Sequence, residues 1–288
     1  MAKKKKPANP SVETYFAHAS LKKNATAAAI QSAYNIEVRF LGGLTTKQKT
    51  AFKKAADRWS KVIVGDLPSV TIDGDVIDDL LIVAQGVQID GPGKILGQAG
   101  PTHLRPASAG ASAFLPAKGL MSFDSADLAK MEADGTLVDV ITHEMGHVIG
   151  IGTIWEHKKL LVGAGTDNPT FKGTNARREF GTLKGTAPAN VPVENTGGSG
   201  TRDGHWRESV FRNELMSGFI AAPGNPLSRL TVASLQDMGY AVDIKAAEPY
   251  SLPNLMALAL AGELATVPHA HALPIFAPKV LTDDRLVP

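Results

Sequence analysis

The stretch His143-Glu144-Met145-Gly146-His147 constrains this chain more than any other, because it fixes a local conformation and a chemistry together. Residues four apart share one face of an α-helix, so two imidazoles in such a turn point at one spot. The flanking residues supply the helix: Leu137-Val138-Asp139-Val140-Ile141, with Val148 and Ile149, repeat apolar side chains at helical spacing and predict a buried helix. Gly150 follows His147 by three residues, where a helix stops on a residue of positive φ. Two neutral imidazoles with an open coordination position suit zinc at a catalytic rather than a structural site. Glu144 projects beside them, placed to take a proton from water on the metal rather than to ligate it.

Five residues of this kind also arise by chance, so a third ligand decides whether a site exists. The position three residues after Gly150, where the compact metzincin pattern has its third His, holds Thr153. The ligand must come from further on, and His205, 58 residues past His147 (205 − 147), is the best candidate. It stands in Gly204-His205-Trp206, and Met216 follows 11 residues later in Asn213-Glu214-Leu215-Met216-Ser217-Gly218. Read alone, His205 is a surface-loop histidine and Met216 is core packing. His157 lies close behind the helix and stays open as an alternative ligand, while His18, His103, His269 and His271 lack partners at ligand spacing.

The ordered set resembles the leishmanolysin family of metzincin zinc peptidases: a helix motif, a delayed His, a Met-containing turn, then a helix over Leu230 to Tyr240. The similarity covers roughly residues 35 to 245. It implies that His143, His147 and His205 hold one catalytic Zn2+, that Glu144 is the general base, and that Met216 shapes the floor of the site without binding metal. The substrate it implies is a peptide or protein. The fold it implies is α/β (α+β), a metzincin-like two-lobed zincin. A twisted mixed sheet and the zinc-motif helix form its N-terminal lobe, and an irregular, loop-rich lobe follows. The expected divisions are a flexible segment over 1–34, the N-terminal lobe over 35–150, the C-terminal lobe over 151–245 and an extension over 246–288. Two rival functions use the same residues: a zinc-retaining binding or adhesion module without turnover, and a metallohydrolase acting on something other than peptides. Intact Glu144 weighs against the first, because metal binding alone does not require it.

Composition narrows the field further. The chain of 288 residues contains no cysteine, which excludes disulfides, zinc–thiolate sites and thiol catalysis. This departs from the eukaryotic members of the family, which are disulfide-rich and membrane-anchored, and makes the chain look more like a bacterial relative. A net charge of +2 gives no electrostatic case for a nucleic-acid partner, and Lys3 to Lys6 read as a solvated terminus. No apolar run reaches the roughly 20 residues of a transmembrane segment. The basic start lacks the apolar core of a secretory signal. The expectation is therefore export by a non-classical route, with a cytoplasmic protein as the alternative. Oligomeric state is not set by these features.

Along the chain, Ala25–Ala33 suggests a short helix and Ile36–Phe40 alternates as a half-buried strand does. Thr45 and Gln48 form a capping-box pair ahead of Phe52, Ala55, Ala56, Trp59, Val62 and Ile63 on one helical face. Leu80–Ala84 suits a strand buried on both faces. Ile95–Ala99 is a contender for an edge strand that binds substrate by strand addition, or is an ordinary sheet strand. A further strand is expected over Ala113–Phe123, with Asp124 capping the helix after it. Asp73, Asp75, Asp78 and Asp79 lack calcium-loop spacing and read as a polar turn. Residues 162–204 look like a long loop forming a wall of the cleft, Leu230–Met238 and Leu255–Leu264 like helices, and the last residues like a loose tail.

Overall fold

The computed structural model describes residues 12–19, 33–89, 91, 97–198, 200–220, 222–260 and 277–287. The expected helix over Ala25–Ala33 falls largely outside them, as do Ile95, Leu96, His269 and His271. In chain order the strands are β1 (Glu13–His18), β2 (Asn35–Gly42), β3 (Val70–Ile72), β4 (Asp75–Ile77), β5 (Leu80–Val87), β6 (Gly97–Leu104), β7 (Pro116–Asp124), β8 (Leu161–Val162), β9 (Thr170–Phe171), β10 (Val191–Pro192) and β11 (Lys279–Val280). The helices are α1 (Thr46–Val62), α2 (Ser125–Asp134), α3 (Leu137–Ile149), α4 (Thr174–Lys184), α5 (Glu208–Phe211), α6 (Arg229–Met238) and α7 (Leu255–Leu260).

A mixed sheet in the order β1-β2-β5-β7-β6-β11 organises the first half. Strands β2, β5 and β7 run parallel, and β1 and β6 join them antiparallel on either side. Side chains alternate across a strand, which divides the apolar residues between two cores. Ile36, Val38, Leu80, Ile82 and Met121 face the helices, whereas Leu81 and Ala117 meet Val70, Ile72, Ile77 and Leu281 on the opposite side. Helix α1 starts on the anticipated capping box and buries Phe52, Ala55, Ala56, Trp59 and Val62. Trp59 Nε1 then donates to the Thr142 carbonyl of α3 at 2.8 Å, which ties the two helices across the core. The result is the mixed α+β architecture that the sequence implied, with the motif helix packed against β6 and β7.

Several local expectations change. Pairing of β1 with β2 carries the sheet back to Glu13, ahead of residue 35. Strand β7 begins at Pro116 rather than Ala113, because a 3₁₀ turn at Gly110–Ser112 and a positive φ of 63° at Phe114 interrupt extended backbone. Residues 162–204 are not all loop, since α4, β9 and β10 lie within them and β8 ends at Val162. The chain's end is held: Leu281 N donates to Leu104 O and Val287 N to Ser69 O, each at 2.9 Å. No helix among the described residues is long and apolar enough to cross a membrane.

Candidate metal centre

Every residue of α3 from Asp139 to Ile149 is buried, which sets both motif histidines and Glu144 inside the protein. Gly150 ends the helix in the left-handed region at φ 119°, its amide shared between the Gly146 and His147 carbonyls. That turn aims the Ile151 carbonyl back at the helix, where it meets His147 Nδ1 at 2.9 Å. Gly152, at φ 76°, then passes so close to the loop bearing His205 that a Cβ there would stand 2.0 Å from the Gly204 carbonyl oxygen. Only glycine allows this crossing, and it delivers His205 beside the helix.

His143, His147 and His205 converge. Their Nε2 atoms form a triangle with sides of 3.0, 2.9 and 3.1 Å, and together they form a group able to hold a metal ion. Each Nδ1 meets a backbone carbonyl: His143 that of Leu215 at 2.7 Å, His147 that of Ile151 at 2.9 Å, and His205 that of Thr201 at 2.8 Å. A carbonyl only accepts, so each ring must carry its proton on Nδ1. The three Nε2 lone pairs then face one another, an arrangement that a cation between them stabilises. Burial also pushes the His205 pKa down, favouring the neutral ring that a metal needs. Tetrahedral zinc with Zn–N bonds of about 2.0–2.1 Å has its nitrogens about 3.3 Å apart, close to the spacing seen, so the donor set fits such an ion.

Of the other two residues singled out in the sequence, Glu144 lies on the same helix and Met216 packs against it. Glu144 is fully buried, and among the described residues its Oε2 meets no hydrogen-bond donor. Burial lifts its carboxyl well above the usual carboxylate range. Met216 lies under the helix: a Cβ built on Gly146 would come 2.7 Å from Met216 Sδ and 2.9 Å from Trp59 Cζ2. The missing side chain at 146, next to His147 on the helix, leaves the notch that receives Met216. Its peptide oxygen accepts from Trp206 N at 2.9 Å, which joins this turn to the residue after His205.

Among the described residues the other histidines stay apart from this group. His157 is exposed and stacks on Phe114 at 5.8 Å, and His18 stacks on Phe16. His103 lies on β6 opposite Lys279. Asp66, Asp78 and Asp79 form a second cluster of oxygen donors, but protein donors occupy two of the three. Asp79 accepts from Asn35 N and Leu67 N at 2.8 and 2.7 Å, and Asp78 from Ser69 Oγ at 2.9 Å. Those carboxylates knit a turn together, as the sequence suggested for Asp78 and Asp79. What sequence reasoning missed is the ring of acceptors behind the histidines. Leu215, Ile151 and Thr201 act through main-chain oxygens, which carry no sequence signature.

Comparison with known proteins points to one family. The leishmanolysin family model, peptidase family M8, matches residues 111–262, from before α2 to beyond α7. A leishmanolysin homolog from Crithidia fasciculata is 26% identical over 136 residues, a match covering 43% of this chain and 20% of that protein. The chain thus spans only about a fifth of the length of the curated relative it matches. With the family match extending over more than half of its residues, this chain belongs to the leishmanolysin family.

Proposed function

We propose that the chain is a zinc-dependent endopeptidase in which His143, His147 and His205 hold one catalytic Zn2+ and Glu144 serves as general base. The observation carrying this reading is the triangle of Nε2 atoms whose Nδ1 partners are all carbonyls. A zinc ion held there would supply Lewis acidity, polarising the scissile carbonyl and lowering the pKa of water at its open position to about 7. Glu144 accepts the proton of the attacking water and delivers it to the leaving amine. Its burial and raised proton affinity suit both steps. Met216 packs beneath the ligand helix as its floor.

The substrate reaches the centre along β6, which packs on α3 and, among the described residues, pairs with β11 only at His103 and Leu104. An extended peptide adds along Gly97–Thr102, with main-chain hydrogen bonds giving affinity and side-chain pockets giving preference. Metal analysis with digestion of a broad peptide library tests the proposal. Wild-type protein should bind one zinc and cleave. Glu144→Ala should keep the zinc and lose about 10²–10⁴-fold in rate, the usual contribution of a general base. His205→Ala should lose the zinc. A wild-type protein that binds zinc yet leaves every peptide intact would favour the binding-module reading. Cleavage of esters but not peptides would favour a different metallohydrolase.

A further inference from the structure

Glu214 is a fully buried carboxylate, yet among the described residues no Lys or Arg forms an ion pair with it. Four donors surround it. Oε1 accepts from Ser228 N at 3.2 Å, Ser228 Oγ at 2.6 Å and Thr231 Oγ1 at 2.5 Å, while Oε2 accepts from Met216 N at 2.6 Å. Nothing in the proposed reaction uses this group.

Its partners lead back to the histidines by two routes. Met216 N and Leu215 O belong to one peptide unit, and Leu215 O accepts from His143 Nδ1 at 2.7 Å. Carboxylate, peptide group and imidazole therefore form a continuous hydrogen-bonded chain ending at a ligand nitrogen. The second route runs through Thr231, whose Oγ1 also accepts from Trp206 Nε1 at 2.8 Å. That acceptance commits the Thr231 proton to Glu214. Trp206 adjoins His205, and its own N–H donates to Met216 O.

We infer that Glu214 is a positioning residue for the metal centre: through the 215–216 peptide it orients and polarises His143, and through Thr231 and Trp206 it fixes the loop bearing His205. Metal-bound histidines commonly hand their second N–H to a carboxylate, directly, to gain basicity. Here a peptide group stands between carboxylate and ring, and hydrogen-bonded chains of this kind polarise one another. The buried negative charge also offsets the charge of a dication held by neutral rings. This inference rests on the metal-centre reading above.

Glu214→Gln separates positioning from packing, because the volumes match but the amide has one oxygen. Three donors claim that oxygen at Oε1, so the NH2 faces Met216 N–H and the chain to His143 breaks. Thr231→Val, of similar shape, cuts only the Trp206 arm. Zinc dissociation constants, measured by competition with a chromophoric chelator, should rise about 10–100-fold for Glu214→Gln, the range typical of partners behind a metal ligand. A smaller rise is expected for Thr231→Val. The visible spectrum of the cobalt-loaded Glu214→Gln protein should shift from that of wild type, a signature that loss of fold stability alone does not produce. Zinc affinity within threefold of wild type in folded Glu214→Gln protein overturns the inference, whatever happens to its melting temperature. Should that variant not fold, unchanged affinity in Thr231→Val overturns it instead. Wild-type protein that takes up no zinc would sink the metal-centre reading, and this inference with it.

Discussion

Gly146→Ala tests how Met216 packs against α3, because two effects of opposite sign meet there. Alanine in a helix interior is favoured over glycine by about 0.8–1.0 kcal/mol. Against that, the new methyl would stand 2.7 Å from Met216 Sδ, 2.9 Å from Met216 Cε and 2.9 Å from Trp59 Cζ2. Overpacking of a closed core costs about 1–3 kcal/mol. Met216 is flexible but wholly enclosed, and Trp59 is enclosed and held by its 2.8 Å bond to Thr142 O, so neither retreats easily. The upper part of that range applies, and the net expectation is a loss of about 1–2 kcal/mol.

Met216→Ala on its own leaves a cavity worth about 2–5 kcal/mol. In the double variant the added methyl occupies part of that cavity, so the two costs should fall short of their sum by about 1 kcal/mol or more. Denaturant unfolding of the four metal-free proteins measures the cycle. A stabilised Gly146→Ala, or costs that add to within about 0.5 kcal/mol, would show that Met216 does not fill the notch at Gly146.

Two further outcomes follow from the second half of the chain. Helix α4 starts at Gly173 with no side chain to cap it, and Asp237 of α6 supplies the acceptor, taking Asn175 N and Ala176 N at 2.9 Å each. Asp237→Ala should cost about 1–2 kcal/mol and raise amide exchange across Thr174–Lys184, and unchanged exchange there would refute the borrowed cap. Glu208, three residues after His205, has its pKa raised from 4.5 to about 7, mainly by burial, against lowering by the Ser217 hydroxyl and Arg212, with nearby Glu194 adding to the rise. The native state thus keeps a proton that the unfolded chain releases, so stability should fall as pH rises from about 4.5 to about 7 and level off above. Melting temperatures across that window should flatten in Glu208→Gln, and identical profiles for both proteins would exclude Glu208 as the source.

The parts of the fold that could be read beforehand are those where one short window carries its own signal. The apolar period around His143 and His147, the Thr45–Gln48 capping box and the buried run at Leu80 all act within a few residues of themselves. His205 was found from the order of features rather than from local pattern, since the loop bearing it has no period. Helix α4 escaped because its cap comes from 62 or so residues away and because Gly181 interrupts it. That glycine has a packing reason, as a Cβ there would lie 2.9 Å from the Ala187 carbonyl. The tail looked loose because β11 contributes only two residues to a strand about 175 positions earlier. In each case the deciding partner is distant in sequence and contributes backbone or a single side chain.

His205 meets the helix pair from far along the chain, yet the entropic cost of bringing it there is small. Closing the 58-residue span from His147 to His205 costs about (3/2)RT ln 58, or about 3.6 kcal/mol, against about 1.6 kcal/mol for a ligand six residues on at Thr153. The insertion thus adds only about 2 kcal/mol, the worth of one or two buried hydrogen bonds. Glu194 provides bonds of that kind: its N donates to His205 O, its own carbonyl accepts from Asp203 N, and its carboxylate takes the amides of Asn195, Thr196 and Glu208. Trp155 stacks on Trp206 at 4.9 Å and against Phe171. The halves are fastened by Arg58 of α1, which meets Asp139 on the motif helix and Glu248 and the Asn225 carbonyl beyond the Met216 turn. Tyr240 adds a hydrogen bond to the Ile149 carbonyl. A chain with no cysteine can therefore hold His205 beside the motif helix without a covalent cross-link, because the entropy to be offset grows only with the logarithm of the loop.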